Sequence, residues 1–260
     1  MSPETALVTG GGSGIGRETA NLLRDAGHDV VVWDLSGGDI DCDVSDFDAV
    51  SAAMEQTVRE HGVPTRVVTS AGIGSSGLLL KIEPADWEKV LAVNLTGTWF
   101  TIRAAAQAMI DAELEGSIVV VSSISGTLAD RDMGAYCVSK AGLDMLVKVA
   151  AVEWGVHGIR VNAVGPGVTR TPMLPDAERW PAWVEGMSKR TALRRLGEPG
   201  DVAEAIVGVL DMSWVTGQVL HADGGLSLHS PIDAYGQVEK LMRLKKLQEI
   251  HKQKQQAREG

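Results

Sequence analysis

Ser123, Tyr136 and Lys140 follow one another in the spacing Ser-x12-Tyr-x3-Lys. Residues 135–154 carry apolar side chains at helical intervals, so Tyr136 and Lys140 fall on one helix face, one turn apart. Ser123 follows Ile118-Val119-Val120-Val121, a run that reads as a strand buried on both faces. Ligands of open parallel sheets bind just beyond the carboxyl ends of such strands. A hydroxyl, a phenol and an ammonium converging there are equipment for acid–base chemistry. A free phenol, with a pKa of ~10, is a poor base near neutrality. Bringing it down by ~3 units takes about 4 kcal/mol, which is the order that one cation roughly 4 Å away supplies at an effective dielectric of ~20. Lys140 is expected to be that cation. The pair alone says little, since most Tyr-x3-Lys pairs are ordinary helix surface; the case rests on what surrounds it.

The elements that position these residues begin at the N-terminus. Ala6-Leu7-Val8 reads as a short buried strand, followed by Thr9-Gly10-Gly11-Gly12-Ser13-Gly14-Ile15-Gly16 and a helix to about Ala26. In a strand–turn–helix context, missing side chains let the backbone approach a pyrophosphate, and the free N–H groups of the helix start favour its charge. Val30-Val31-Val32-Trp33 is the next strand and ends on Asp34, 18 positions after Gly16. A carboxylate there can accept both adenosine ribose hydroxyls and would repel a 2′-phosphate. Neither Ser13 nor Leu35 is an Arg or Lys that could neutralise that phosphate, so NAD is preferred over NADP. An oxidised nicotinamide would add a second cation beside Tyr136. A solvated loop Asp is the plain alternative for Asp34.

Only Leu35 to Asp39 separate Asp34 from Ile40-Asp41-Cys42, too few for a crossover helix. Five extended residues reach about 17 Å at most, enough to return the chain to the sheet bottom. A very short third strand, or none, is expected, with Asp43 and Val44 near the adenine. Asp46 caps a helix to about His61, and Arg66 to Thr69 is a strand that turns out through Ser70-Ala71-Gly72 over the cofactor. Pro84 starts a long helix to about Ile110, with Asn94 near its middle as either a satisfied core amide or part of a polar relay. Ile159 to Val164 is a strand leading into Gly165-Pro166-Gly167-Val168-Thr169-Arg170-Thr171-Pro172. Residues 173–196 lack clean periodicity but hold Met173, Leu174, Trp180, Trp183 and Met187. They read as an apolar lid over the substrate or, alternatively, as core packing of the two Trp. Pro199 to Leu210 is a helix and Gly217 to Ala222 a last strand.

The length of 260 residues suits one α/β domain, a doubly wound parallel sheet, over residues 1–229 with the lid at about 168–198. Residues 230–260 form a basic extension. Residues 238–260 hold seven Lys/Arg against three Glu, which leaves 17 basic and 31 acidic groups, or −14, on residues 1–237. Such an acidic body argues against nucleic acid as the main partner. In the tail Val238, Leu241, Leu244, Leu247 and Ile250 recur every three residues and so wind around a helix instead of forming a stripe. A helix gripped by a neighbouring subunit and a frayed solvated end both remain open. No signal peptide and no apolar run of bilayer length are visible. Cys42 and Cys137 lack metal-ligand spacing, the six His are scattered, and no metal site is read. A reduced, cytoplasmic protein is expected.

Taken together, TGGGSGIG at 9–16, Asn94, Ser123, YCVSK at 136–140, VGPGVTRTP at 164–172 and VTGQVLHADGG at 215–225 resemble the short-chain dehydrogenase/reductase family over about residues 4–227. The resemblance implies one Rossmann-like domain with about seven parallel strands, and metal-free hydride transfer between a nicotinamide and an alcohol or carbonyl. It makes Tyr136 the general acid/base, and gives Lys140 the roles of lowering its pKa and holding the nicotinamide ribose. It has Ser123 orient the substrate oxygen and Asn94 position a water in a relay through Lys140. Gly10, Ser13, Gly14, Ile15, Gly16 and Asp34 would hold adenosine and pyrophosphate, Asp43 and Val44 the adenine, and Ala71 and Gly72 would lie over the cofactor. Pro166, Gly167, Val168 and Thr169 would meet the nicotinamide. Members commonly assemble as homodimers or homotetramers through the two long helices and the last strand. Three departures stand out: Thr69-Ser70-Ala71-Gly72 replaces the frequent Asn-Asn-Ala-Gly, the helix before Asp43 is missing, and Leu210 to Trp214 is short. An NADP-dependent 3-oxoacyl reductase, a catalytically silent NAD-sensing scaffold and a methyltransferase on a related sheet are the rival readings.

Overall fold

The computed structural model describes residues 4–174, 179–228 and 234–259. It divides into two units, 1–227 and 228–260.

The first unit is built on one seven-stranded sheet in the order β3-β2-β1-β4-β5-β6-β7, with every pairing parallel. Its strands are β1 (Thr5–Thr9), β2 (Asp29–Asp34), β3 (Ile40–Asp41), β4 (Arg66–Thr69), β5 (Gly116–Val121), β6 (Ile159–Pro166) and β7 (Val219–Ala222). The helices are α1 (Gly14–Asp25), α2 (Phe47–His61), α3 (Pro84–Leu91), α4 (Gly97–Asp111), α5 (Gly134–Trp154), α6 (Pro181–Arg190) and α7 (Pro199–Asp211). The short apolar runs have a simple cause. Leu7, Val31, Val67, Ile118 and Val120 bury on the sheet face covered by α2, α4 and α5. Ala6, Val8, Val30, Val32, Val68 and Val119 bury on the other face, with α1 and α7. With a period of two and both faces covered, the middle of each central strand is favoured to be apolar on both sides. Trp33 is the largest fully buried side chain, and its indole N–H donates to Thr57 Oγ1 of α2 at 3.0 Å.

The chain runs from β1 outward to β2 and β3, then crosses back to β4 on the other side of β1. The crevice between the ends of β1 and β4 is therefore the topological switch point, the place where such sheets bind ligands.

Two local expectations change. The short return after Asp34 does not reach the sheet bottom. Ile40 pairs with Trp33 and Asp41 with Asp34, the last two residues of β2. Asp39 stops the chain there: its N–H donates to Val32 O and its carboxylate accepts the Val32 N–H, both at 2.8 Å. That two-ended clamp satisfies the open edge of β2, so going further down would gain no bonds. The irregular stretch 173–196 contains α6, which buries none of its residues. Trp180 and Trp183 are 66% and 39% exposed, which rules out core packing for them.

The second unit contains α8 (Ala234–Glu259). Val238, Leu241, Met242, Leu244, Leu247 and Ile250 are all exposed on it.

Candidate active site

The glycine turn is shaped by contacts that allow no side chain. Gly10 has φ +66°, and a Cβ there would lie 2.6 Å from Ala71 N, so the turns leaving β1 and β4 touch at the switch point. A Cβ on Gly16 would lie 2.3 Å from Gly10 O, which lets α1 press directly on the loop. The Gly10 N–H donates to Trp33 O at 2.8 Å, and the Gly12 N–H to Asp34 Oδ2 at 2.9 Å. Asp34 Oδ1 accepts from the Ser36 N–H at 3.3 Å. Asp34 thus stands at the end of β2 as expected and also pins the loop. Gly14, at φ +53°, faces Thr171 and Pro172, with an added Cβ 3.4 Å from Thr171 Cγ2. Met173 comes to 3.9 Å of the corresponding point on Gly74. The segment after β6 therefore passes across both the α1 start and the loop after β4.

The α5 start and the end of β5 bring Tyr136, Lys140 and Ser123 together. All three are buried. The Ser123 hydroxyl stands close enough to the Tyr136 phenol to pull its ionisation down, and Lys140 Nζ lies 5.5 Å from the centre of the Tyr136 ring. Nζ donates to Val121 O at 2.9 Å, and an ammonium has two further protons to give. A Cβ on Gly72 would be 3.8 Å from Nζ and 3.3 Å from Asn94 Oδ1, so the missing side chain leaves room beside that ammonium. A buried cation with protons to spare, next to a glycine and facing a glycine-lined switch point, fits a nucleotide's ribose.

The ionisation of the phenol differs from the expectation. Burial is the largest influence and pushes Tyr136 up; the Ser123 hydroxyl pulls it down, and the nearby Cys137 and Asp130 push it up again. Burial also pulls Lys140 itself down to about 8, opposed by the Asp144 carboxylate.

Asn94 sits in one π-type turn, Ala92–Thr96, between α3 and α4. Such turns interrupt long helices at functional sites. Its amide is well held: Oδ1 accepts the Ile73 N–H at 2.8 Å, and Nδ2 donates to Ile73 O at 2.9 Å and Ser139 Oγ at 3.1 Å. The side chain thus staples the loop after β4 to α5, and Oδ1 keeps a second lone pair beyond its bond to Ile73. Ser139, inside the YCVSK stretch, is the partner that sequence reasoning passed over. The altered turn at Thr69 also has a consequence. Thr69 Oγ1 is buried without a partner, and the turn is held instead by Ser70 N–H to Thr9 O at 3.1 Å and Ala71 N–H to Thr9 Oγ1 at 3.4 Å.

Of the remaining expected contacts, Val44 is buried, its backbone against Gly97 of α4, while Asp43 is exposed and accepts from the Ser45 N–H. Pro166 ends β6, and a Cβ on Gly167 would meet Asp223 at 2.8 Å. Val168 O accepts the Gly197 N–H, and Thr169 Oγ1 donates to Gly167 O. Ser13 is the N-cap residue of α1, followed by Gly14, Ile15 and Gly16 in its first turn. No cluster of His, Cys, Asp or Glu suited to a metal is found among the described residues.

A family model described as enoyl-(acyl carrier protein) reductase matches residues 10–227. The chain belongs to the short-chain dehydrogenase/reductase family. The 2,5-dichloro-2,5-cyclohexadiene-1,4-diol dehydrogenase of Sphingobium indicum is 36% identical over 245 residues, covering 87% of this chain and 98% of that protein. The human (3R)-3-hydroxyacyl-CoA dehydrogenase is 36% identical over 248 residues, covering 85% and 94%. The solved structure of ElxO with NADP bound superposes with a TM-score of 0.81 at 28% identity, covering 87% of this chain and all of that one. As a short-chain dehydrogenase/reductase, the protein is an oxidoreductase of secondary alcohols and ketones that uses a nicotinamide cofactor.

Lys140→Met tests the burial of the ammonium directly. The folded chain holds Lys140 at about 8 against an ordinary 10.5. Keeping the charge buried therefore costs about 3 kcal/mol below pH 8, a cost that fades as pH rises toward 10.5. The methionine removes that cost and gives up one hydrogen bond worth about 1 kcal/mol. At pH 7 chemical denaturation is expected to show a more stable variant, by about 2 kcal/mol, alongside lost turnover. Equal or lower stability would mean the ammonium is better solvated than its burial indicates.

Proposed function

We propose that this short-chain dehydrogenase/reductase transfers a hydride between NAD(H) and a hydrophobic secondary alcohol or ketone, with Tyr136 as the general acid/base. The observation that carries the reading is the buried cluster of Ser123, Tyr136 and Lys140, with the ammonium 5.5 Å from the ring, beside the glycine-lined crevice. When bound, the nicotinamide supplies the hydride acceptor or donor. The chain's residues do the rest. In oxidation the deprotonated Tyr136 oxygen takes the proton from the substrate hydroxyl; in reduction the neutral phenol gives it back. Ser123 holds the substrate oxygen within reach of the phenol, and Lys140 holds ribose hydroxyls. Asn94 keeps the loop after β4 in place over the site.

NAD is favoured over NADP because Asp34 ends β2 where a 2′-phosphate would sit, and like charges repel there. The structural neighbour ElxO was solved with NADP bound. Asp34→Ala is expected to narrow the NAD-over-NADP ratio in kcat/KM by roughly tenfold or more, and to weaken both cofactors somewhat, because Gly12 loses its anchor. An unchanged ratio would show that another residue selects the cofactor.

The apolar character of the substrate is supported by Met173, Trp180, Trp183 and Leu193, all exposed on the lid stretch at about 168–198. A relative acting on a cyclic diol and one acting on a hydroxyacyl thioester fit the same description. A panel of cyclic and acyl secondary alcohols, assayed with NAD and with NADP by the absorbance of the reduced nicotinamide, tests the proposal. Reduction of neither cofactor by any member, with NAD still bound, would favour a silent sensor. A homo-oligomeric state, dimer or tetramer, belongs to the same proposal. Its support is the apolar surface of α5, where Val138, Met145, Val149 and Val152 are exposed.

A further inference from the structure

The loop between β5 and α5 contains a hydrogen-bonded chain that leads from the surface to the phenol. The exposed Asp130 carboxylate accepts the Ser125 hydroxyl at 2.6 Å. Ser125 is buried, and its backbone N–H donates to Ser123 Oγ at 3.1 Å. The Ser123 hydroxyl in turn acts on the Tyr136 phenol, pulling its ionisation down. The order of donors matters. A hydroxyl that already accepts an N–H keeps its own proton free to point elsewhere. Ser125 thus orients the Ser123 O–H toward the phenol oxygen, and Asp130 orients Ser125. Nothing in the spacing Ser-x12-Tyr-x3-Lys points to either residue.

The same loop is fastened to its surroundings. Asp132 adopts φ +78°, in the left-handed region that non-glycine residues avoid. It is held there by Ser76 Oγ donating to its carboxylate at 2.7 Å and by the Gly77 N–H donating to its carbonyl at 2.9 Å. The Tyr136 N–H donates to Ser75 Oγ at 3.2 Å. Residues 130–133 are therefore kept against the loop after β4, and Asp130 is fixed near the phenol by structure outside its own turn.

We propose that Asp130 and Ser125 are positioning residues for the reaction: Asp130 anchors Ser125, Ser125 aims the Ser123 hydroxyl at Tyr136, and the two together set how readily the phenol releases its proton. The inference rests on the acid/base role given to Tyr136 above. Among the described residues, the charged or ionisable groups facing the phenol are Asp130 from the loop, and Cys137 and Lys140 from α5. The segment 72–77 carries none.

The two residues act in opposite senses, which makes the test decisive. The chain has two tyrosines, Tyr136 and Tyr235, so a Tyr235→Phe background leaves a single phenol to follow by NMR of ring-labelled tyrosine across a pH titration, with no substrate needed. In that background Asp130→Asn keeps an acceptor for Ser125 and removes the charge; the Tyr136 midpoint is expected to fall by roughly half a unit, less at high salt. Ser125→Ala keeps the charge and the residue's own N–H but loses the hydroxyl that ties that N–H to Asp130; the midpoint is expected to rise, because the bond that fixes the Ser123 hydroxyl is no longer held in place. Midpoints unchanged in both variants, or moved in the same direction, would overturn the proposal, since a merely structural role predicts one of those two results. Should either variant fold poorly by circular dichroism, Asp130→Gln, which keeps an amide acceptor, and Ser125→Gly repeat the comparison with the same expected signs. Turnover of Tyr136→Phe is a separate measurement. An active phenylalanine variant would remove the acid/base reading while leaving the titration result standing.

Discussion

Tyr136→Phe is expected to lower turnover by about a thousandfold, within the range that positioned acid–base groups supply, while NAD binds as before. The substitution removes one oxygen and keeps the ring, which is packed at 9% exposure over the Lys140 ammonium. The ribose-facing groups stay where they are, so calorimetry should return an NAD affinity within a few-fold of the parent. Activity comparable to the parent would end the assignment.

In its proposed acid/base role the same phenol is expected to set the pH dependence of the parent enzyme. Burial raises it above its ordinary value of 10. Oxidation needs the deprotonated form, so kcat/KM for an alcohol is expected to climb about tenfold per pH unit through neutrality. Reduction needs the neutral form and is expected to hold steady over that interval. A bound cation beside the phenol would move the oxidative limb toward lower pH without changing its sign. A flat oxidative profile from about pH 6 to pH 9 would exclude Tyr136 as the base.

Gly16→Ala is expected to weaken NAD binding by about a hundredfold, roughly 2.7 kcal/mol, and to lower the thermal midpoint. Two effects compete. Alanine within a helix gains about 1 kcal/mol over glycine. Against that, the added methyl would lie 2.3 Å from Gly10 O and 2.8 Å from Gly10 C, both backbone atoms that cannot rotate away. Relief requires lifting the loop off α1, which strains the Gly10 N–H to Trp33 O bond and the Gly12 N–H to Asp34 bond. The clash therefore wins. Gly155→Ala is the control: nothing lies within 4 Å of a Cβ there, its φ is −57°, and no loss is expected. Equal behaviour of the two variants would mean that the loop is softer than its contacts indicate.

Much of the fold was legible locally. Arg66–Thr69 is the strand expected of it; α2 starts beside Asp46 because that carboxylate accepts the Asp48 and Ala49 N–H groups, and it ends at His61 before Gly62 at φ +90°. Apolar runs of four to six residues forced a doubly covered parallel sheet, and glycines between strand and helix marked the switch point. The register of β3 was not legible, since Asp39 closing on Val32 is a contact across the sheet edge. The π-type turn at Asn94 was equally hidden, because helical periodicity does not show where one residue is inserted.

What residue order alone determined is the inventory and its approximate placement: a hydroxyl at a strand end, a phenol and an ammonium one turn apart, a glycine turn, and an acid at the end of β2. Helical and strand periods are local, so they survive in the sequence. Tertiary structure alone decided how those groups ionise and what they hold. Burial, which depends on everything packed around a side chain, raised Tyr136 and drew Lys140 down to about 8. Contacts between distant segments committed the Asn94 amide to Ile73 and Ser139, and brought Asp130 through Ser125 to the Ser123 hydroxyl. Desolvation and hydrogen bonding between remote residues are properties of the packed chain, and no spacing along it encodes them.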